Sequence, residues 1–188
     1  MTSAVARLSG RLGGHGRGGR QAAPPVVACR LAVPEDAAAV AEVARAAFTG
    51  YLGHYHADPR LDSVAADAAY VEWAETATLS SSPTVPVLLA ETSGQVVGFL
   101  ALRTNGSAEM EMVLNAVDPA YQGQGVYRTL VGQALALAEL RGCSRMLTST
   151  QINNYAVQRV WAKYGFVHVR SFYTLHKWFV EREATTSS

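Results

Sequence analysis

The sequence lacks long apolar runs, holds few charged residues and contains only two cysteines. Charged residues make up 16% of the 188 positions, against ~25% in an average globular domain, whereas hydrophobic residues make up 49%. No apolar stretch approaches the ~20 residues of a transmembrane helix, and residues 1–25 lack the apolar centre of a signal peptide. These absences argue against a membrane protein or a disordered chain, and they predict one globular domain with a substantial core.

The distribution of charge and the number of cysteines limit the classes of partner that the sequence predicts. Residues 1–25 hold four arginines and no acidic residue, which leaves 12 basic and 15 acidic residues in the rest of the chain. A slightly acidic body argues against nucleic acid as the main partner. Cys29 and Cys143 lie far apart and offer no metal-binding spacing. We therefore expect no metal, and two small core residues in a reducing cytoplasm.

The pattern of breakers and apolar residues divides the chain into a body and two tails. Residues 1–25, with six glycines, are predicted to be a disordered basic tail, and residues 182–188 a polar tail. The single domain spans 26–181. Its predicted strands are 26–33, 86–92, 95–103, 109–117, 144–150, 166–172 and 173–180, the last two paired. Its predicted helices are 36–48, about 63–78, one opening near 125 and one beginning at 153–154. This order predicts a mixed α/β (α+β) domain.

One stretch, from Met110 to Leu130, combines a buried strand, a turn at Asp118-Pro119, the loop Gln122-Gly123-Gln124-Gly125 and a helix. Free N–H groups and the dipole at a helix N-terminus make such a loop a site for an anion. A Walker loop is absent, and Arg128 stands where a dinucleotide fingerprint needs its third glycine. An ordinary strand-to-helix turn is the alternative interpretation.

The same loop resembles the acyl-CoA loop of the GNAT superfamily of N-acyltransferases, whose pattern is Gln/Arg-x-x-Gly-x-Gly/Ala. Gln122 and Gly125 match this pattern, and Tyr127 replaces its small residue. A second motif agrees, since Asn154, Ala156 and Gly165-Phe166 match the family's Asn-x-x-Ala run that ends in Gly-Phe. The order of predicted elements over 26–180 is also that of the family.

The resemblance implies a GNAT fold, a mostly antiparallel sheet with splayed central strands, and acetyl-CoA as cosubstrate. In the family, loop amides hold the pyrophosphate and the splayed strand holds the pantetheine arm. The cofactor-binding residues implied are Asn115, Ala116, Val117, Gln122, Gly123, Gln124, Gly125, Val126, Tyr127, Asn154 and Trp161.

The reaction implied is direct attack of a primary amine on the thioester, which requires a base because the free amine is the scarce species. Glu111 is our candidate, since many relatives carry a glutamate at this distance before Val117. Regular alternation would place it on the same face as Asn115 and Val117. His54, His56 and His176 are rival bases.

Protonation of the leaving thiol is less clearly assigned. The family commonly has a tyrosine where this chain has Trp161, and an indole is no proton donor at neutral pH. Either Tyr127, Tyr121 or Tyr173 takes the role, or none is needed because a thiol of pKa ~8.5 leaves readily.

Residues 49–80 crowd aromatic and polar side chains into one connection, which is typical of a pocket wall. Simple packing on the sheet is the alternative. The predicted substrate-binding residues are His54, Tyr55, His56, Tyr70 and Trp73. With the runs at 149–154 and 176–178, this segment resembles N-acetyltransferases that modify nucleotide-linked amino sugars.

A small-molecule amine is therefore the expected partner, with a homodimer left open and neither nucleic acid nor membrane expected. Two other functions compete: a protein acetyltransferase acting on an N-terminus or lysine, and a non-catalytic acyl-CoA-binding module.

Overall fold

In the computed structural model, residues 1–8, 26–51 and 53–179 are described. Within these ranges the chain forms seven strands and four helices. The strands are β1 (Thr2–Arg7), β2 (Ala28–Leu31), β3 (Val87–Thr92), β4 (Gln95–Asn105), β5 (Glu109–Val117), β6 (Arg145–Thr150) and β7 (Val167–Ser171). The helices are α1 (Ala37–Phe48), α2 (Ser63–Leu79), α3 (Val126–Leu140) and α4 (Tyr155–Lys163), with short 3₁₀ turns at Pro34–Asp36, His54–Ala57 and Pro119–Tyr121.

All seven strands belong to one sheet, in the order β2-β3-β4-β5-β6-β1-β7. Neighbours are antiparallel except β5 and β6, which run parallel and pair only from Glu109–Arg145 to Met112–Thr148. Beyond that point the two strands separate. The mixed sheet with splayed central strands is therefore confirmed.

A hydrophobic core lies on each face of the sheet. Helices α1 and α2 cover one face, where Val40, Phe48 and Tyr70 pack on Phe99. Helices α3 and α4 cover the other, with Leu130 and Trp161 in the second core. Apolar residues follow one another along the middle of β4, so both faces of the sheet are apolar there.

The prediction of an unstructured tail over residues 1–25 is wrong for its first residues. Thr2–Arg7 forms strand β1, antiparallel to both β6 and β7. Ala4 and Ala6 are 7% and 1% exposed, and Val5 between them is half-buried. This short stretch, followed by the glycines and arginines of 9–25, shows no alternation that predicts a strand. Residues 9–25, like 180–188, lie outside the described residues.

The predicted final strand over 173–180 is also wrong for its described part. Residues 172–179 have no regular secondary structure, and β7 pairs instead with β1. The large side chains of Tyr173 and Leu175 are 94% and 87% exposed.

A β-bulge interrupts β5. Leu114 pairs with Ala101 and Met112 with Leu102, which leaves Val113 without an opposite residue. Met112 contributes to the α3/α4 core and Leu114 to the α1/α2 core, so the bulge reverses the alternation of side chains. It lies where β5 and β6 begin to separate.

Candidate active site

The N-terminus of α3 presents a row of free amides beside the separated strands. Gly125 caps the helix with φ +87°, and Gly123 has φ +73°. The first bond of the helix is from Thr129 N–H to the carbonyl of Gly125. The N–H groups of Gly123 to Arg128 find no acceptor among the described residues. Six unpaired amides at a helix N-terminus form a strong site for an anion such as a diphosphate.

Close packing fixes this end of α3 on the sheet. A Cβ atom at Gly98 of β4 would lie 3.1 Å from the carbonyl oxygen of Ala116 and 3.2 Å from Val126 Cγ1, so only glycine lets the helix approach so closely. The side-chain amide of Gln122 donates to the carbonyl of Val117 at 3.3 Å. The loop is thus tied to the end of β5.

The gap between β5 and β6 leaves main-chain groups available. After Met112, β5 pairs only with β4, so the opposite edge of 113–117 has no strand partner. Asn115, opposite Leu100, faces the α3/α4 side, whereas the side chain of Ala116 packs in the α1/α2 core. An extended acyl-pantetheine arm could bond to this edge as a strand would.

Three polar side chains lie on the α3/α4 side of the sheet. Thr148 is fully buried and its hydroxyl has no hydrogen-bond partner among the described residues. The indole N–H of Trp161, a residue only 2% exposed, donates to the hydroxyl of Tyr127 at 2.9 Å. The proton of that hydroxyl finds no acceptor among the described residues. Buried hydroxyls normally have partners, so the hydroxyls of Thr148 and Tyr127 are free to bond to a bound molecule.

Neither Trp161 nor Tyr127 is therefore placed to give up a proton. Burial raises the pKa of Tyr127, although the hydrogen bond from Trp161 opposes this shift. A phenol of raised pKa donates a hydrogen bond and keeps its proton. The indole N–H of Trp161 is already used by Tyr127.

Asn154 has a structural role in this arrangement. Its carbonyl oxygen accepts the N–H of Val157 at 3.3 Å, which caps α4, and its amide donates to Thr150 Oγ1 at 3.1 Å. It thus joins the start of α4 to the end of β6. Direct contact of Asn154 with a cofactor remains a prediction.

A cavity of about 540 Å³ opens at the carboxyl end of β6. The described residues that line it come from four segments: Met1, Gly53, His56, Gln151, Ile152, Asn153, Ser171, Phe172, Tyr173 and Thr174. None of these is aspartate, glutamate, lysine or arginine. Because 151–153 directly follow β6, the cavity lies at the same end of the sheet as the gap between β5 and β6.

His56 is held by both of its ring nitrogens. Gly53 N–H donates to Nδ1 at 3.2 Å, so the ring proton lies on Nε2, which bonds to Asp67 Oδ1 at 3.0 Å. The second oxygen of Asp67 accepts Gly50 N–H at 3.3 Å. His56 therefore orients the loop at 50–56. It is a poor base in this arrangement because its unprotonated ring nitrogen, Nδ1, already accepts a hydrogen bond.

The other predicted substrate-binding residues are distributed differently. Tyr70 stacks on Phe48 at 4.6 Å, and burial, with smaller effects of Tyr51, Tyr55 and Asp67, raises its pKa to about 12. Its hydroxyl approaches Gly53 so closely that a Cβ there would lie 2.8 Å away.

Tyr70 therefore supports the cavity wall from behind. Tyr55 packs edge-on against Tyr70 at 6.1 Å. Trp73 is 46% exposed on α2 and is not among the described residues that line the cavity. The side chain of His54 lies outside the described part of the chain. Substrate binding by these residues remains a prediction.

Glu111 lies on β5 two residues before the bulge. Its carboxylate accepts from Arg103 at 2.6 Å and from Asn105 at 3.0 Å, and its side chain is 17% exposed. The expected shared face with Asn115 and Val117 is wrong, because the bulge at Val113 places Glu111 on the α1/α2 side. Its role as base stays a prediction. Of its rivals, His176 lies 3.6 Å from Asp58.

Sequence reasoning missed several residues of this site. Thr148 is an ordinary strand residue whose significance lies in its missing partner. Asp67 carries no motif, and Gly53 is conspicuous only through its contact with Tyr70. Residues 2–7 show no clear strand pattern, so neither β1 nor the cavity edge at Met1 was predicted.

Comparisons with known proteins agree with this geometry. The model of the Acetyltransferase (GNAT) family matches residues 39–166. The chain is 28% identical over 155 residues to "Spore coat polysaccharide biosynthesis protein SpsD" of Bacillus subtilis (strain 168). That match covers 82% of this chain and 52% of the relative, so the chain spans about half the length of the curated relative that it matches.

Solved structures show the same fold. The protein yncA of Salmonella typhimurium, solved with its cofactor acetyl-CoA, is 25% identical with a TM-score of 0.56, over 75% of this chain and 79% of that chain. A ribosomal-protein-alanine N-acetyltransferase from Brucella melitensis biovar Abortus 2308 is 16% identical with a TM-score of 0.58, over 81% of this chain and 100% of that chain. No helix in the described ranges is long and apolar enough to cross a membrane.

Proposed function

The chain belongs to the acetyltransferase (GNAT) family, and from this premise we propose that it transfers the acetyl group of acetyl-CoA to the primary amine of a small molecule. A nucleotide-linked amino sugar is the acceptor class that we favour. Acetyl-CoA supplies an activated acetyl group as its thioester. A cytoplasmic location, as expected for the two unpaired cysteines, Cys29 and Cys143, is part of the proposal.

The observation that carries the proposal is the continuity of three features. Six unpaired amides at Gly123–Arg128, the unpaired edge of β5 and the cavity beyond β6 follow one another at one end of the sheet. If the diphosphate of the coenzyme binds these amides, its pantetheine arm can extend along the unpaired edge of β5 toward the bulge. The reacting carbon would then lie between Glu111 and the cavity.

The residues of the chain divide the chemistry between them. Glu111 takes a proton from the acceptor amine, whose ammonium form has a pKa near ~10.4 in a lysine-like compound. The amine nitrogen then bonds to the acetyl carbon while the carbon–sulfur bond breaks and the sulfur leaves as thiolate. The nitrogen releases its second proton to solvent. Main-chain N–H groups near the bulge stabilise the developing oxyanion, an effect worth ~3 kcal/mol in proteases. Tyr127 donates a hydrogen bond to the departing sulfur and keeps its proton.

The lining of the cavity supports a sugar as acceptor. The side chains of Gln151, Asn153 and Ser171 can bond to hydroxyl groups, and Phe172 and Tyr173 offer flat apolar faces. A polycationic acceptor would favour an acidic wall, which the described lining residues do not provide. The relative SpsD carries a name from polysaccharide biosynthesis, which also favours a sugar.

The test is a thiol-release assay in which the acceptor is varied. The protein with acetyl-CoA is given nucleotide-linked amino sugars, peptides with free N-termini and lysine peptides, and products are identified by mass spectrometry. We expect acetylation of an amino sugar only. Preferential acetylation of a peptide would replace the proposal with a protein acetyltransferase. Coenzyme binding by calorimetry without turnover of any amine would indicate a non-catalytic module.

A further inference from the structure

The segment that follows β7 crosses to the connection between α1 and α2 and is attached at its two ends. At its start, Phe172 N–H donates to the carbonyl of Met1 at 3.1 Å. Near its end, Trp178 and His176 meet Asp58. Between these ends Tyr173 and Leu175 are exposed. A segment with so little buried area needs specific attachments to stay ordered.

The carboxylate of Asp58 accepts the contacts near the end of this segment. Oδ2 accepts the indole N–H of Trp178 at 2.5 Å and the guanidinium of Arg60 at 3.1 Å, and Oδ1 accepts Arg60 Nε and N–H at 3.0 Å each. The Arg60 guanidinium also lies 4.6 Å over the ring of Trp178. Trp178 is thus held by its edge and by its face.

This contact is more than a surface ion pair. An exposed pair such as Asp58 with Arg60 contributes little by itself. Here the carboxylate is only 9% exposed, because its partners cover it, and it joins residues 120 positions apart. The hydrogen bonds from Arg60, then Trp178, lower the pKa of Asp58, so it stays ionised.

The two segments joined in this way are two walls of the cavity. Gly53 and His56 line it shortly before Asp58, and Phe172, Tyr173 and Thr174 line it shortly before Trp178. We propose that Asp58 is a positioning residue that sets the width of the acceptor cavity by clamping Trp178. This inference rests on the proposed function, since it takes the cavity as the acceptor site.

The experiment compares Asp58→Asn and Trp178→Phe with the control Asp36→Asn. Asp36 also accepts from an arginine, Arg30, and from a main-chain N–H, that of Val33, but is not among the described residues that line the cavity. Both clamp variants should raise the acceptor KM roughly fivefold while kcat and the KM for acetyl-CoA change little, the pattern of lost uniform binding. The double variant should lose no more than either single variant, because the two residues form one contact.

A second readout does not depend on turnover. Trypsin cleavage after Lys177, followed by mass spectrometry on the full chain, should be faster in both clamp variants than in wild type or Asp36→Asn. Unchanged cleavage would overturn the clamp whether or not turnover is seen. Faster cleavage with an unchanged acceptor KM would overturn its role in the cavity. Absence of turnover in wild type refutes the proposed function instead.

Discussion

The proposed coenzyme end and the proposed acceptor end of this site are built in different ways. The coenzyme end is nearly contiguous in sequence, because β5, the loop at 122–125 and the start of α3 follow one another. The acceptor end combines residues from the beginning of the chain, the α1–α2 connection, the end of β6 and the segment after β7. The first is held by a strand and a helix, and the second by side-chain contacts such as His56–Asp67 and Asp58–Trp178.

This difference suggests how the two ends specialise. A diphosphate and an extended arm are constant features of the cosubstrate, and main-chain amides on regular elements suit them because they move little. An acceptor varies between enzymes, and loops tolerate change without loss of the core. Mutations should therefore affect coenzyme affinity through the backbone and acceptor affinity through side chains.

Glu111 is the proposed base and should give the largest effect. Glu111→Gln removes the proposed base while it preserves shape, so kcat should fall by roughly 10²–10⁴, the range for general base catalysis. The coenzyme affinity should stay the same. Glu109→Gln is the control, since Glu109 lies on the same strand and pairs with Arg145 at 3.4 Å. Comparable losses of kcat in both variants would contradict the assignment. The measurement is steady-state kinetics over a range of pH.

Gly125 tests whether the backbone binds the coenzyme. Valine is strongly disfavoured at φ +87°, so Gly125→Val should distort the row of amides and weaken coenzyme A binding by about 100-fold, or ~2.7 kcal/mol. Gly142→Val is the matched control, because Gly142 has φ +74° at the other end of α3. Calorimetry should show weak binding only for the first variant, although both lose stability. Equal affinities would argue that the amides do not hold the diphosphate.

The sequence predicted the strand and the helix of the proposed coenzyme end well, because these elements are contiguous in the chain. Strand β5 was predicted with its observed ends, and α3 begins one residue after Gly125. The bulge at Val113 was not predictable, because a bulge depends on the register with β4. The face of Glu111 was therefore assigned incorrectly.

The acceptor end was predicted only as a list of residue types. Strand β1 is held by its pairing with β6 and β7 from the other end of the sequence, and such a distant pairing leaves no local signal. Residues 173–179, predicted as a strand, lie outside the sheet. Residues 49–80 were predicted as a pocket wall, and of their described members Gly53 and His56 line the cavity. Tyr70 lies behind Gly53, and such an arrangement depends on how α1 packs on α2.

Gly53 probes the acceptor end with a smaller effect. In Gly53→Ala the new Cβ would lie 2.8 Å from Tyr70 Oη and 3.2 Å from Tyr51 Cε1, so the loop that carries His56 must shift. We expect the acceptor KM to rise about tenfold with coenzyme affinity unchanged. Gly132→Ala is the control, because its Cβ would meet Tyr164 Oη at the same 2.8 Å on the other face of the sheet. A tenfold change in the coenzyme KM of Gly53→Ala would remove the distinction between the two ends.

Tyr127 should have the smallest effect on turnover and a measurable one on stability. Tyr127→Phe removes the acceptor for the buried N–H of Trp161, which costs ~1–3 kcal/mol of unfolding free energy at neutral pH. Turnover should fall only a few fold, about threefold, if Tyr127 hydrogen-bonds the sulfur without transferring its proton. Trp161→Phe should likewise keep measurable turnover. Loss of activity to background in either variant would show that an acid is required.

The pH dependence of unfolding tests whether the Tyr127 hydroxyl is buried in the folded protein. Burial raises its pKa in the folded state, so above pH ~10 the unfolded chain releases a proton that the folded protein keeps. Wild-type stability must then fall as pH rises, by up to ~1.4 kcal/mol per pH unit for this one group. The Tyr127→Phe variant does not lose stability for this reason. Tyr70, whose pKa is raised to about 12, lowers the stability of both proteins equally as pH rises. Urea unfolding should therefore give wild type a larger free energy of unfolding than Tyr127→Phe at pH 7, and this difference should narrow toward pH 11. A difference that is constant with pH would mean that the Tyr127 hydroxyl is solvated.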